Sequence, residues 1–183
     1  MAVIHAQTGR TTKCKVCRQP FVKRSISHKV CSPDCAITFS RQEKEKQERK
    51  QLRERKEKLK SRAEWMKEAQ AAFNAFIRLR DANEPCISCG RWHTGQWHAG
   101  HYLSTGARPE LRFDESNVHK QCAPCNNHLS GNIALYRMAL IQKIGQAEVD
   151  RLEGPHEAKH YSIEDLRQIK AEYKAKAKKL GAN

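Results

Sequence analysis

All eight cysteines of this 183-residue chain fall into four tight pairs, Cys14/Cys17, Cys31/Cys35, Cys86/Cys89 and Cys122/Cys125. Thiolates at such spacing close tetrahedral sites of the kind zinc prefers. The opening stretch MAVIHAQTGRTTK lacks the apolar run of a secretory signal, and in a reducing cytosol paired thiols favour metal over disulfides. Two structural Zn2+ sites are therefore expected, one on Cys14, Cys17, Cys31 and Cys35, the other on Cys86, Cys89, Cys122 and Cys125. Metal then supplies a large part of the folding free energy, because apolar residues make up only 38% of the chain and charged ones 30%.

A net charge of +15 points to a polyanionic partner, since each phosphate neutralised by Lys or Arg releases condensed counterions. Nucleic acid comes first and an anionic membrane surface second. No apolar run approaches a membrane span, so a soluble, cytoplasmic protein is expected. Residues 1–85 hold 21 basic and 10 acidic side chains, a net of +11, against +4 for residues 86–183. The electrostatic grip thus lies mostly in the N-terminal half.

Three segments follow along the chain. Residues 1–39 read as a four-cysteine zinc module after a loosely attached start over 1–13. Phe21, Val22, Ile26 and Val30 supply two short strands and an apolar patch, and Ser32-Pro33 starts a helix carrying Cys35. Such modules bind DNA, bind proteins or stabilise an end, and the sequence leaves all three open. Residues 40–64, with eleven Lys or Arg and six Glu, read as a charged helical linker, either a solvated spacer or a rail along a DNA backbone.

Residues 65–183 form the third segment. Trp65, Ala69, Ala72, Phe73, Phe76 and Ile77 recur at helical spacing and predict a core-facing helix. Between the knuckles, WHTGQWHAGHYL predicts a hairpin ending near His101, LRF a further extended piece, and Trp92 and Trp97 core positions. A helix is expected from Cys125 onward, with breaks at Gly145 and Gly154-Pro155. A capping box at Ser162/Asp165 opens a last helix to about Leu180.

Inside the second pair of knuckles lie His98, His101, Asn117 and His119, followed by Asn126 and His128. Hydrolysing a phosphodiester needs a base for water, a cation for the developing charge and tight placement of both. His101 is the candidate base, because imidazole titrates near neutrality, and a carbonyl should orient its other nitrogen. Asn117 would brace that geometry. Asn126 can offer an amide oxygen to Mg2+ or Mn2+. Lys120 and Arg137 are candidate phosphate contacts.

AGHY at 99–102, N-V-H-K-Q-C-x-x-C-N-x-H at 117–128 and the two knuckles resemble the HNH, or His-Me finger, nucleases with a treble-clef zinc. More closely, WxAGHY, LRFxExNxHKQCxxCNxHxSGN and AFIRxRDxxxPCISCG resemble the NinG (Rap) family of lambdoid phage recombination endonucleases. The resemblance runs from about Trp65 to the C-terminus, and the N-terminal module with its charged helix fits the same layout. It implies an α+β, mostly helical chain carrying a ββα-metal finger with flanking helices. The implied activity is structure-selective cutting of branched DNA, such as D-loops and Holliday junctions.

The resemblance places the family's triad on His101, Asn117 and Asn126. Where many HNH enzymes carry an Asp or His ligand before the base, this chain has Gly100. The catalytic ion must then use another ligand, His98 or His128, or else His101 is itself the ligand and His119 the base. A non-catalytic zinc adaptor that binds nucleic acid is the alternative. Paired incision favours a homodimer, through the charged helix or the face of Trp65, Phe73 and Phe76, and phage or host recombination proteins are further expected partners.

Overall fold

The computed structural model describes residues 11–181 and divides the chain into two compact units, 1–60 and 61–183. Most of the start expected to be loose, with His5, lies outside the described residues, but Thr11–Lys13 form a strand, β1, antiparallel to β2, Pro20–Val22, with Thr12 opposite Phe21. The intervening turn carries Cys14 and Cys17 and closes through Arg18 in the left-handed region, φ 63°. Ile26 is 94% exposed and does not join the expected patch.

Helix α1 spans Pro33–Leu59. Ser32 Oγ accepts from Cys35 N at 3.2 Å, and Pro33 fits the first turn because its missing N–H has no intrahelical acceptor there. The charged stretch is thus continuous with the helix carrying Cys35, and it stops at Leu59 rather than Glu64. No residue of α1 is buried.

In the second unit, α2 spans Arg62–Arg80. Its start is set by a reciprocal cap in which Ser61 N donates to Glu64 Oε2 (2.8 Å) and Glu64 N to Ser61 Oγ (3.3 Å). The predicted apolar stripe is buried and packs against α5, Ile163–Leu180, which opens on the expected Ser162/Asp165 capping box. Phe73 meets Tyr173 edge to face at 4.7 Å. The face of Trp65, Phe73 and Phe76 is therefore internal core and not a free dimer surface.

The hairpin expected within residues 92–103 does not form. β3, Trp97–His101, instead pairs antiparallel with β4, Val118–Cys122, with Trp97 opposite Cys122 and His101 opposite Val118. Period-2 alternation explains the choice: β4 is buried on both faces and offers Val118 to the α2/α5 core, so it is the better partner. The LRF segment is not a strand, because Pro109–Leu111 forms a 3-10 turn that sends Phe113 into the core.

The outer edge of β4 is covered. Arg80 donates to Val118 O (2.8 Å), Asp81 Oδ2 accepts from Lys120 N (2.9 Å), and Ile87 N donates to Lys120 O (3.1 Å). After Cys122 the chain makes one π-helical turn, Pro124–His128, and passes Ser130, Gly131 and Asn132 in positive φ before α3, Ile133–Ile144. The helix expected to run on from Cys125 is interrupted there. Gly145, φ 84°, then separates α3 from α4, Gln146–Glu153. Val118 and Ala99 face the α2/α5 core, whereas Tyr102, Leu111, Tyr136, Leu140, Val149 and Leu152 build a second core with α3 and α4. Among the described residues, no helix is long and apolar enough to cross a membrane.

Candidate metal centres and active site

Each set of four cysteines converges. In Cys14, Cys17, Cys31 and Cys35, and again in Cys86, Cys89, Cys122 and Cys125, the sulfur atoms all lie within 4.8 Å of one another, and none is in a disulfide. A tetrahedral zinc with Zn–S bonds of about 2.3 Å separates its sulfurs by about 3.8 Å, so both clusters fit the ion. The second cluster is assembled by the turn at Gly90, φ 65°, and by the β3–β4 ladder that ends on Cys122.

Backbone groups favour thiolate there. Desolvation opposes ionisation of Cys86, but the N–H groups of Cys122, Cys89 and Ser88 outweigh it and lower its pKa. Cys122 is pushed up to about 12 by desolvation and by its hydrogen bond with Cys86. Four clustered thiols cannot all ionise without a cation to share their charge. Asn132 Nδ2 donates to Cys125 Sγ at 3.7 Å, the kind of outer contact that orients a ligand.

His101 closes β3, half-buried. Its Nε2 lies 3.0 Å from Arg112 O, and because a carbonyl only accepts, Nε2 carries the proton and Nδ1 holds the free lone pair. Desolvation lowers its pKa, the Arg112 carbonyl opposes the shift, and the Arg112 charge adds to it. Asn117 is fully buried: Oδ1 accepts from Leu103 N (2.8 Å), and Nδ2 donates to Leu103 O (3.0 Å) and Leu111 O (3.3 Å). It ties both ends of the 103–111 loop to the start of β4, and the carbonyl that meets His101 follows directly on that loop.

His119 stands opposite Gly100 on the other ribbon face, so it and His101 point to different sides. Its Nδ1 lies 3.3 Å from Tyr136 Oη, which donates to Gly100 O at 3.0 Å. Desolvation, helped by the charges of Arg80 and Lys143, drives its pKa down to about 3. Asn126 donates to Asn127 Oδ1 (2.8 Å) and His128 is exposed; among the described residues neither hydrogen-bonds to His101, Asn117 or His119.

Two expected phosphate contacts are otherwise engaged. Lys120 is 5% exposed, donates to Ala82 O (2.9 Å), and lies 4.8 and 4.4 Å from the ring centres of Trp92 and Trp97. Arg137 pairs with both carboxylate oxygens of Glu153 (2.7 and 3.0 Å). Trp92, expected in the core, is 63% exposed because it covers that ammonium from outside. Sequence reasoning missed Arg80, Asp81, Tyr136 and Gln121. Alternation along β4 placed Gln121 on the His119 face, but nothing in sequence said that face would be sealed.

A sequence profile described as Bacteriophage Lambda NinG protein matches residues 6–182. The chain belongs to the NinG family. It is 45% identical over 189 aligned positions to "Protein ninG" of Salmonella phage P22, with 93% of each chain covered. The same figures hold for "Protein ninG" of Escherichia phage lambda, and 44% identity over 186 positions for that of Escherichia phage 933W. No solved structure matches the chain. Within the NinG family, the two cysteine clusters and the β3–β4 ribbon carrying His101 therefore belong to a phage protein.

Proposed function

We propose that this NinG-family chain is a metal-dependent, HNH-type endonuclease that cuts branched DNA, D-loops and Holliday junctions among them, by hydrolysing phosphodiester bonds. The observation that carries the reading is the state of His101: half-buried, with Nε2–H given to the Arg112 carbonyl, it keeps Nδ1 free to take a proton from water. Asn117 holds the loop bearing that carbonyl, which supports its assignment as a positioning residue. The amide oxygen of Asn126 and the imidazoles of His98 and His128 are the proposed donors to Mg2+ or Mn2+, with His98 leaving the ribbon face opposite His101. When bound, such an ion supplies charge stabilisation to the phosphorane and the leaving oxygen.

His119 is the weaker base. It is held neutral, but its Nδ1 is directed to Tyr136 and it lies on the opposite ribbon face from His101. The net charge of +15 supports a DNA partner. Two incisions per junction call for a homodimer, and recombination proteins of phage or host in the host cytoplasm are the proposed surroundings. Gly100, which offers no side-chain ligand before His101, favours one rival: a zinc adaptor that binds nucleic acid without cutting it.

Labelled D-loop, Holliday-junction and linear duplex DNA, incubated with Mg2+ or Mn2+, tests the reading. Incision of branched substrates by the wild type, with loss of incision but not of binding in His101→Ala, is the expected result. Tight binding without incision under either ion would replace the nuclease by the adaptor. Sedimentation with and without junction DNA tests the dimer, which a monomer in both conditions would exclude.

A further inference from the structure

Two buried side-chain atoms have no hydrogen-bond partner among the described residues, Gln121 Oε1 and His98 Nε2. They belong to residues directly opposite each other in the β3–β4 ladder, so both side chains leave the same ribbon face, where opposed Cβ atoms stand about 5 Å apart. Orphaned polar atoms in an interior are costly, and a facing pair calls for a common answer.

The orientation of the Gln121 amide is fixed by its surroundings. Its Nε2 donates to Ser88 Oγ (2.6 Å) and to the carbonyl of Gly131 (2.5 Å), which uses both hydrogens. Reversing the amide would set Oε1 against the Gly131 oxygen, so Oε1 faces the other way, toward Gly100. A Cβ built on Gly100 would overlap that oxygen and lie 3.0 Å from both Cβ and Cδ of Gln121. The amide of residue 121 thus fills the space that a side chain at residue 100 would take. Gln121 is wholly buried, so the cluster is no surface accident.

With the His98 proton on Nδ1, the amide oxygen and the imidazole Nε2 present two lone pairs toward the same face, and a cation satisfies both. Carboxamide oxygen suits hard ions, whereas imidazole suits the borderline first-row metals, and the mixed pair selects a Mn2+-like ion over Ca2+. We propose that Gln121 Oε1 and His98 Nε2 are protein ligands of a divalent cation on this face of the ribbon. The proposal goes beyond the reading above: this face is the one opposite His101, so the ion held here is distinct from one beside that base. Gly100 is required because any side chain there displaces the oxygen ligand.

The test is Mn2+ titration of the zinc-loaded full chain, followed by the electron paramagnetic resonance of free Mn2+ and by spin-echo detection of nitrogen coupled to the bound ion. Wild type binds one Mn2+ with a histidine nitrogen coupling. His98→Phe abolishes that coupling, and His98→Phe, Gln121→Met and Gly100→Ala each weaken binding about tenfold or more. Zinc content and the circular-dichroism melt show that each variant is folded; Gly100→Ala keeps both ligand residues and stands as the second probe if Gln121→Met fails to fold. Binding in the wild type without nitrogen coupling, or unchanged affinity in folded His98→Phe and Gly100→Ala, overturns the assignment while Mn2+-dependent cleavage leaves the nuclease reading standing. Coupled Mn2+ binding without cleavage of any branched substrate overturns the nuclease reading and leaves the ligand assignment intact.

Discussion

The imidazole of His101 gives its Nε2 proton to the main-chain carbonyl of Arg112, 3.0 Å away, so one nitrogen is committed to the fold and the other to chemistry. Burial holds the ring neutral below the ordinary histidine value of 6.5, with the Arg112 guanidinium adding to the shift. A base must be unprotonated, so cleavage stays high through pH 6.5 and is lost only as pH falls through the lowered value. Single-turnover rates on a branched substrate, with zinc content checked at each pH, measure this. A half-maximal point at or above 6.5 would contradict it.

Asn117 is held by three hydrogen bonds with no exposed surface. Asn117→Ala leaves Leu103 N and Leu103 O without their partner and takes one donor from Leu111 O, which keeps Asp114 N (3.2 Å), and should lower stability by about 2–3 kcal/mol. Asn117→Asp is no rescue, since a carboxylate oxygen would face the carbonyls of Leu103 and Leu111. Denaturant unfolding of the full chain gives the two values; an Ala variant within about 0.5 kcal/mol of wild type would refute the clamp.

Metal analysis should return two zinc ions per chain. Cys122→Ser should return one and should melt unit 61–183 well below the wild type, because Cys122 ends β4 and anchors the ladder to the knuckle at Cys86. Full zinc content in that variant would disprove the four-sulfur site.

Asp81, 2% exposed, accepts from Lys120 N at 2.9 Å and from Arg80 at 2.6 and 2.9 Å. Desolvation opposes its charge, but the Arg80 contacts outweigh it and hold its pKa below the ordinary 3.8. Its contribution is thus complete above the ordinary carboxylate range and is lost as pH falls through the lowered value. Asp81→Ala should cost about 3 kcal/mol, since it strands Arg80 and uncovers the edge of β4, and Asp81→Asn less, since an amide oxygen still meets Lys120 N. Equal losses in both variants would show that the charge is irrelevant.

Much was legible before any coordinates. The cysteine pairs, the stripe from Trp65 to Ile77, the caps at Ser32 and Ser162 and the break at Gly145 are local signals, each carried by a spacing of a few residues. Strand pairing is not local. The segment 92–103 has hairpin composition, yet β3 finds its partner some twenty residues on, because burial of Val118 and closure of Cys122 onto Cys86 outweigh a short loop.

By itself, then, the sequence determined two four-cysteine clusters, most of the helices and a strand ending near His101. The tertiary structure alone decided which nitrogen of His101 is free, that His119 points to the other face, that Lys120 is sealed between indoles and that Gln121 fills the space beside Gly100. Those outcomes depend on which side of a strand a residue faces and on what packs against that side. Period-2 alternation makes the face readable, but only the packed neighbours give it a chemistry.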